Sequence, residues 1–427
     1  MTAKTIETTY KTKEETKVLY RTCIYILIFL LASISYVDRV VISVAAPSIS
    51  REFGLSPVAM GYLLSSFLWG YVLCVVPFGM WIDRVGAKLP ISVGVAVWSL
   101  ATVGTGLAAS FPLLLCSRLL LGGGEAAATP GVGRVIREWV PVKGRGVAFA
   151  LYNSGFYAGP AIGAVSVAAL MEWIGWRGTF AVCGLIGLVW LAFWLPIYRN
   201  APSHSSDEAV SKPLAHAETS TGRTATLDQF KAILSSGSMW GVFVGQGTAV
   251  YAQYLFLSWL PSYLQATRHV SIMKMGFYTS VPYVVAVVVG LTLSRLSDRI
   301  LNEKSSAAGK RRLMSAASII SASVILFIPL VQPLWLVLTI MSISLAAVAT
   351  AVGLNFALLT DLVSKGSNQG KAMAILTIGA NGFGLMAPIV TGYVIAATGN
   401  YNWAFVIAGL LLITGSLAVL TARRPIG

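Results

Sequence analysis

Apolar segments of about twenty residues recur along nearly the whole chain. Each is long enough for a helix to cross the hydrocarbon core of a bilayer, which is about 30 Å thick. The chain has 427 residues, of which 56% are hydrophobic and only 11% charged, whereas a soluble domain carries about 25% charge. This pattern excludes a soluble enzyme and a disordered scaffold, and it indicates a polytopic membrane protein.

Twelve of these segments are predicted to be transmembrane helices, six on each side of a polar stretch rich in Ser, Thr and charge. The predicted spans are 22–46, 58–82, 89–109, 112–136, 145–170, 177–197, 239–264, 273–297, 313–332, 334–360, 371–396 and 402–422. The expected fold is therefore an all-α membrane protein with two six-helix bundles. Its parts are a tail at 1–21, a bundle at 22–197, a linker at 198–238, a bundle at 239–422 and a tail at 423–427.

The distribution of positive charge predicts the orientation. Most of the 31 Lys and Arg residues lie in segments on one side of the predicted spans. The other side holds only Arg51, Arg177, Arg268 and Lys274. Because cytoplasmic loops carry the excess of Lys and Arg, both termini are predicted to be cytoplasmic, in a bacterial inner or plasma membrane. The scattered basic residues form no patch with aromatics, which argues against nucleic acid as a partner.

Short motifs recur in the two halves, which predicts a pair of structural repeats. The recurring residues are Asp83-Arg84 with Asp298-Arg299, and Asn153 and Pro160 with Asn381 and Pro388. Both Asp-Arg pairs lie at predicted cytoplasmic helix ends. One such pair alone would be explained by topogenic charge, but its recurrence favours a gating role, with Asp83 in a latch that breaks as the protein opens inward.

Four charged residues fall inside predicted spans. Asp38 and Arg39 lie in the first span, and Arg118 and Glu125 lie in the fourth. A charge at mid-membrane costs about 2.5–3.5 kcal/mol on insertion scales, so it normally faces a cavity or a partner. The four charges sum to zero, which would suit a buried network that only fixes helix packing. A path for ions or substrate explains the set better.

The chemistry of these residues suggests separate roles. Glu125 lies among Gly and Ala, where burial makes a carboxyl group a plausible proton carrier. Arg39 offers the planar paired donors that suit a carboxylate. Asn153, Gln246, Tyr251, Gln253 and Tyr254 are polar side chains that could line a cavity, whereas Trp259 and Tyr263 are predicted to belong to an interfacial aromatic belt.

No cofactor or metal site is predicted. The cysteines lie singly within apolar runs and the histidines are scattered in polar connections, so neither set has metal-ligand spacing. These residues are Cys23, Cys74, Cys116, Cys183, His204, His216 and His269.

The motifs resemble known transporters. Gly79-x-x-x-Asp83-Arg84-x-Gly86-x-Lys88 resembles the signature loop of the major facilitator superfamily, and the resemblance covers nearly the whole chain. Three further segments resemble its anion:cation symporter family, which includes hexuronate and phthalate-type permeases and sialin. They are Tyr36-Val-Asp38-Arg39, Arg118-x6-Glu125 and Phe256-Leu-Ser-Trp259-Leu-Pro261-Ser-Tyr263-Leu.

The resemblance implies roles for individual residues. Arg39 would bind the substrate carboxylate beside Tyr36 and Tyr71, and Asn381 would contact the substrate from the second half. Asp38 and Glu125 would be the proton-coupling acids, with Arg118 as the positive partner that holds or releases Glu125. Phe156 departs from the family pattern, since sugar-acid transporters tend to have a polar residue there. A flatter or less polar carboxylate, such as an aromatic acid, therefore also fits the sequence as a substrate.

The sequence thus predicts a monomeric proton-coupled symporter that imports a small organic anion, either a sugar acid or an aromatic or aliphatic carboxylate. Anion exchange or facilitated uniport on the same fold is the nearest alternative. An integral membrane enzyme is disfavoured because no catalytic constellation is present, and a non-transporting sensor is disfavoured because the linker is too short for a signalling domain.

Overall fold

The structure is a computed structural model that describes residues 3–200, 231–300, 309–363, 368–423 and 426. Long helices make up nearly all of the described chain. They are α1 Ala3–Phe53, α2 Pro57–Val85, α3 Lys88–Leu107, α4 Phe111–Glu125, α5 Ala128–Trp139, α6 Arg145–Ile197, α7 Gly237–Arg268, α8 Ile272–Ile300, α9 Lys310–Ala322, α10 Leu334–Leu362, α11 Asn368–Thr398 and α12 Asn402–Leu420. A 3₁₀ segment, Ser323–Leu330, continues α9.

These helices account for twelve membrane crossings. Within the described residues, ten helical segments are long and apolar enough to span a membrane. One of them, α6, has 53 residues, about 80 Å at helical rise and far too long for one crossing. Its backbone turns at Gly175, where φ is 70°, so α6 supplies two crossings. The 32-residue α7 is not among the ten segments but is long enough for one crossing. The extra crossing of α6 and the crossing of α7 bring the total to twelve, which confirms the predicted all-α fold.

Several predicted boundaries differ from the structure. The single helix expected over 112–136 is interrupted directly after Glu125, because the N–H of Ala127 bonds to the Gly124 carbonyl three residues back. The tail predicted at 1–21 is helical from Ala3 and runs into the first span without a break. Most of the predicted linker, residues 201–230, lies outside the described residues.

Glycines bring the helices of the first half into close contact. A Cβ on Gly122 of α4 would overlap the carbonyl oxygen of Phe67 on α2. A Cβ on Gly159 of α6 would lie 2.6 Å from the Ser33 carbonyl oxygen on α1. Side chains at these positions would force the helices apart. The close packing holds α1, α2 and α4 around the membrane-embedded charges.

The two halves meet tightly at one end of the bundle. We call this the predicted outer end, after the charge distribution; it carries the α1–α2 and α7–α8 loops. An added Cβ at Gly61 of α2 would lie 2.6 Å from the Pro388 carbonyl oxygen of α11, and one at Gly392 would lie 2.6 Å from the Pro57 carbonyl oxygen. On the other flank, Gly276 of α8 packs equally closely on α6. The described conformation is therefore closed at this end.

Candidate functional site

A buried ion pair between α1 and α4 lies at the centre of the first half. The Nε and Nη2 groups of Arg39 both donate to Oε2 of Glu125, at 3.0 and 2.7 Å. Ser35, one helical turn before Arg39, donates its hydroxyl to the same oxygen at 2.6 Å. The Glu125 side chain is fully buried and that of Arg39 is 11% exposed. Glu125 therefore occupies one donor edge of the guanidinium.

Aromatic rings cover both faces of this guanidinium. Its central carbon lies 4.3 Å from the ring centroid of Tyr36 and 4.2 Å from that of Phe67. Tyr71 is farther away, at 5.9 Å. A guanidinium held by cation–π contacts has little rotational freedom, so its orientation is set before any ligand binds.

The second half reaches the same guanidinium through one residue. Nη1 of Arg39 donates to the hydroxyl of Tyr254 on α7 at 3.1 Å. Among the described residues this bond directly links a membrane-embedded charge of the first half to a side chain of the second. Tyr254 thus connects the relative position of the two halves to the state of Arg39.

Asp38 and Arg118 lie beside this ion pair but are bonded differently. Both are about 1% exposed. Arg118 donates through Nη1 to the main-chain carbonyl of Asp38, at 3.4 Å. Neither carboxylate oxygen of Asp38 has a hydrogen-bond partner among the described residues. The expected pairing of Arg118 with Glu125 is absent from this conformation, because Glu125 Oε2 is taken by Arg39 and Ser35 and Oε1 has no partner there.

A band of aromatic side chains continues from Arg39 along α6. The ring of Phe156 stacks on that of Tyr36 with centroids 4.7 Å apart, and Tyr152 meets Phe156 edge-on at 5.0 Å. The hydroxyls of Tyr71 and Tyr152 both lie 3.3 Å from the hydroxyl of Thr129. Tyr36, Tyr71 and Phe156, three of the predicted substrate-binding residues, are therefore gathered near the ion pair.

The other predicted substrate-binding residues lie apart from this group. Asn153 is exposed on α6, and Asn381 of α11 bonds through its amide to the Thr377 carbonyl of its own helix. Gln246 and Tyr251 are buried in α7, 1% and 3% exposed. The Gln246 side-chain oxygen and the Tyr251 hydroxyl have no partner among the described residues.

Two of the predicted gating residues, Asp83 and Arg84, have described side chains. The side chains of Asp83 and Arg84 are exposed, and it is the Asp83 carbonyl that accepts from Nη1 of Arg134, at 3.1 Å. Nothing lies within 4 Å of a Cβ placed on Gly79. The side chains of Asp298 and Arg299 lie outside the described part of the chain, although their backbone belongs to α8.

The prediction that Trp259 and Tyr263 belong to an interfacial belt is wrong. They are only 5% and 4% exposed. The Trp259 indole N–H donates to the Pro388 carbonyl on α11 at 3.2 Å. The Tyr263 ring packs edge-on against Tyr401 and Phe405. Both residues are buried, because the α7 face that carries them packs against α11 and α12.

Two residues of the site are not among the residues that the sequence predicts. Ser35 and Phe67 lie four residues before Arg39 and Tyr71, on the same helical faces, and that spacing is the signal that could have identified them. Tyr254 is one of the polar α7 residues that the sequence predicts could line a cavity, and it follows Tyr251 by three residues. Among the described residues, no group of three His, Cys, Asp or Glu side chains could hold a metal ion.

The fold and the buried charges define a membrane transporter with two pseudo-symmetric bundles. Comparison with known proteins identifies its family: residues 28–307 and 304–426 match the model of the Major Facilitator Superfamily. The chain belongs to this superfamily, and its relatives match the anion:cation symporter type, so it is a transporter and not an enzyme.

Several similar proteins are transporters of sugar acids. The chain is 30% identical to the probable galactarate/D-glucarate transporter GudP of Bacillus subtilis (strain 168), over 94% of this chain and 92% of that protein. It is also 30% identical to the hexuronate transporter of the same organism, over 94% of both chains. A solved bacterial homologue of the human lysosomal transporter Spinster, in an inward-facing conformation, superposes with a TM-score of 0.72 at 22% identity, over 95% of both chains.

Proposed function

We propose that this protein is a proton-coupled symporter that imports a small organic carboxylate by alternating access. The observation that carries the proposal is the buried bond between Glu125 and the Nε–Nη2 edge of Arg39. A paired donor edge of this kind is also what a substrate carboxylate would use. The named sugar-acid transporters among the relatives support an anionic substrate.

Glu125 and the substrate would therefore compete for one edge of Arg39. While Glu125 is ionised, its carboxylate neutralises the guanidinium and occupies two of its N–H donors. Protonation of Glu125 removes that negative charge and frees the edge for a substrate carboxylate. Oε1 of Glu125, which is buried and has no hydrogen-bond partner among the described residues, is the oxygen available to receive the proton.

Asp38 would provide a second proton-binding group. Buried polar groups are nearly always hydrogen-bonded, so a carboxyl group whose two oxygens both lack partners among the described residues is unusual. Arg118 lies beside it, bonded to its main-chain carbonyl. A proton on Asp38 would remove the negative charge beside Arg118 and leave this arginine free to attract the Glu125 carboxylate, which links the states of the two acids.

Coupling requires that proton and substrate bias the same pair of conformations. The described conformation is closed at the predicted outer end, where Gly61 meets Pro388 and Gly392 meets Pro57. Asn153, which the sequence predicts to contact the substrate, is exposed in the same conformation. These observations support a release conformation, in which the ionised Glu125 has reclaimed Arg39.

The test is uptake into proteoliposomes with and without an inside-alkaline pH difference. The panel contains D-glucarate, D-galacturonate, benzoate and succinate. We expect at least one of them to be concentrated by the wild type only when the pH difference is present. Asp38→Asn and Glu125→Gln should abolish accumulation, whereas Glu125→Gln should retain downhill exchange because Arg39 stays free for the substrate.

Glu52→Gln is the matched control, because Glu52 forms a half-exposed ion pair with Arg177 at the predicted outer end. Such pairs contribute about 0–1 kcal/mol, so this variant should accumulate substrate normally. Accumulation that persists in both Asp38→Asn and Glu125→Gln would overturn the coupling assignment. Counterflow that proceeds equally well at every pH would establish anion exchange instead.

A further inference from the structure

A second cavity lies between the two halves at the predicted outer end, away from Arg39. Its volume is about 470 Å³, within the range of small-molecule sites. Helices α1, α2, α7 and α11 contribute to its wall, together with Tyr401 before α12. The lining residues are Ala46, Pro47, Ser50, Arg51, Leu55, Pro57, Met60, Trp259, Ser262, Gln265, Ala266, Ile395 and Tyr401.

Arg51 is the one charged residue in this lining. Its Nε donates to the Pro47 carbonyl at 3.2 Å, and this bond does not use its Nη groups. The acid next to it in sequence is engaged elsewhere, since Glu52 pairs with Arg177 at 2.6 Å and also accepts from the Trp176 indole at 2.7 Å. The cavity therefore carries an uncompensated positive charge.

A polar stripe on α7 connects this cavity to Arg39. Tyr254 and Ser258 line a small cleft that also contains Arg39 and Arg118. Ser262 and Gln265 line the outer cavity. The spacings of four, four and three residues place all four side chains on one helical face, over a rise of about 16 Å. Hydroxyl and amide groups thus follow the interface between the halves from the outer cavity to the central guanidinium.

On α1, the facing residues are mostly apolar. Ile42 lines the cleft beside Arg39, and Ala46 lines the outer cavity one turn farther on. Leu64 of α2 and Leu257 of α7 complete the cleft. These side chains separate the two cavities in the closed conformation, and they lie between helices that belong to different halves. Movement of the halves would therefore join the outer cavity to the central site.

We propose that the outer cavity is a capture subsite for a small organic carboxylate, with Arg51 as its anchor and the α7 stripe as the route to Arg39. This inference rests on the proposed function for the direction of movement, but anion capture itself can be tested without transport. A single positive charge at a concave mouth raises the local concentration of anions and lowers that of cations. High salt should reduce this accumulation of anions, because it screens the attraction between the anions and Arg51.

The test uses a cysteine-free protein in which Cys23, Cys74, Cys116 and Cys183 are replaced by serine and Gln265→Cys supplies one thiol in the cavity. The measured quantity is the ratio of labelling rates with an anionic sulfonatoethyl and a cationic trimethylammonioethyl methanethiosulfonate. Arg51→Gln in this background should lower the anion-to-cation ratio by about fivefold, as expected for one charge about 8 Å away in water that acts with opposite sign on the two reagents.

Lys274→Gln is the matched control. Lys274 is an exposed cation at the same end of the bundle but outside the cavity lining, so its removal changes the net charge equally. The ratio should stay near the parent value in Lys274→Gln, and high salt should reduce the Arg51 effect. An unchanged ratio in Arg51→Gln, or an equal fall in both variants, would overturn the subsite.

Transport gives a second measurement once the uptake panel has identified a transported carboxylate. Arg51→Gln should raise the KM for uptake several-fold and leave kcat unchanged, because the central site is intact. Arg39→Ala should abolish uptake while leaving the labelling ratio at Gln265→Cys unchanged. Failure of the labelling arm would reject the capture subsite alone, whereas failure of pH-driven uptake would reject the proposed function alone.

Discussion

The two halves of the molecule share a fold but differ in the polar groups they place inside the membrane. The first half buries Asp38, Arg118 and Glu125 and nearly buries Arg39. The interior of the second half contains neutral groups instead, such as Gln246, Tyr251 and Asn355, in the described residues. Charge on one side and neutral polar groups on the other suggest a division of labour. The first half would bind the proton and the anionic group of the substrate. The second half would contact the rest of the substrate and respond to the change of conformation.

The largest expected effect comes from the charge at the centre of the first half. Arg39→Ala should reduce uptake at least about a hundredfold, because it leaves Glu125 as a buried, unpaired carboxylate. Arg39→Lys should rescue little, since an ammonium cannot present the same planar set of donors to Glu125 and Tyr254. The measurement is initial uptake in proteoliposomes, normalised to the amount of folded protein.

The matched change in the second half is Arg311→Lys. Arg311 pairs with Asp361 at 2.6 Å near the ends of α9 and α10, with both side chains partly exposed. We expect uptake within about twofold of wild type, as for other exposed ion pairs. A loss comparable to that of Arg39→Lys would show that charge in the second half matters as much, and the proposed division of labour would be wrong.

A smaller effect is expected where the two halves touch. Gly61→Ala places a methyl group about 2.6 Å from the Pro388 carbonyl oxygen, and overpacking of this kind typically costs 1–3 kcal/mol. The conformation closed at the predicted outer end should therefore lose population by about tenfold. Ser56 and Ser271 are exposed on opposite halves and can carry spin labels. The distance between these labels, measured by double electron–electron resonance, should become longer.

Gly353→Ala controls for the loss of a helical glycine, because nothing lies within 4 Å of a Cβ at that position. Its distance distribution should match that of wild type. If Gly61→Ala also matched wild type, the contact between α2 and α11 would not be what closes the outer end.

The smallest effect is expected at the hydroxyl that links the halves. Tyr254→Phe removes the acceptor 3.1 Å from Nη1 of Arg39 but keeps the ring. A hydrogen bond to a charged group contributes about 1.5–3 kcal/mol, and water can replace part of it, so we expect a three- to tenfold fall in kcat/KM. Tyr251→Phe, whose hydroxyl has no partner among the described residues, should change kcat/KM less. An equal fall in kcat/KM in the two variants would show that the bond between Tyr254 and Arg39 has no particular role in transport.

Much of this arrangement follows from the sequence. Hydrophobic length and charge asymmetry predict the helices, and the cost of membrane charge singles out Asp38, Arg39, Arg118 and Glu125. Pairing is harder to predict, because it depends on how α1 and α4 are rotated about their axes. Glycine contacts such as Gly122 against Phe67 determine that rotation, and they involve residues far apart in the chain. The same reason explains why Trp259 was placed at the interface when it is buried against α11.

The helix break after Glu125 was also missed, because a run of small residues such as Gly124 and Ala126 supports a continuous helix as readily as an interrupted one. The interruption leaves Glu125 at the end of α4, against Arg39 and Ser35 of α1.

The central claim is that Glu125 and the substrate carboxylate compete for Arg39. Its most direct test is the dissociation constant of a transported carboxylate, measured by calorimetry on purified wild type and on Glu125→Gln across a range of pH. We expect wild type to bind more tightly as pH falls, because protonation of Glu125 frees Arg39. Glu125→Gln should bind tightly with a much weaker dependence on pH. Wild-type binding that weakens on acidification, or a Glu125→Gln variant with the full wild-type pH dependence, would contradict the competition.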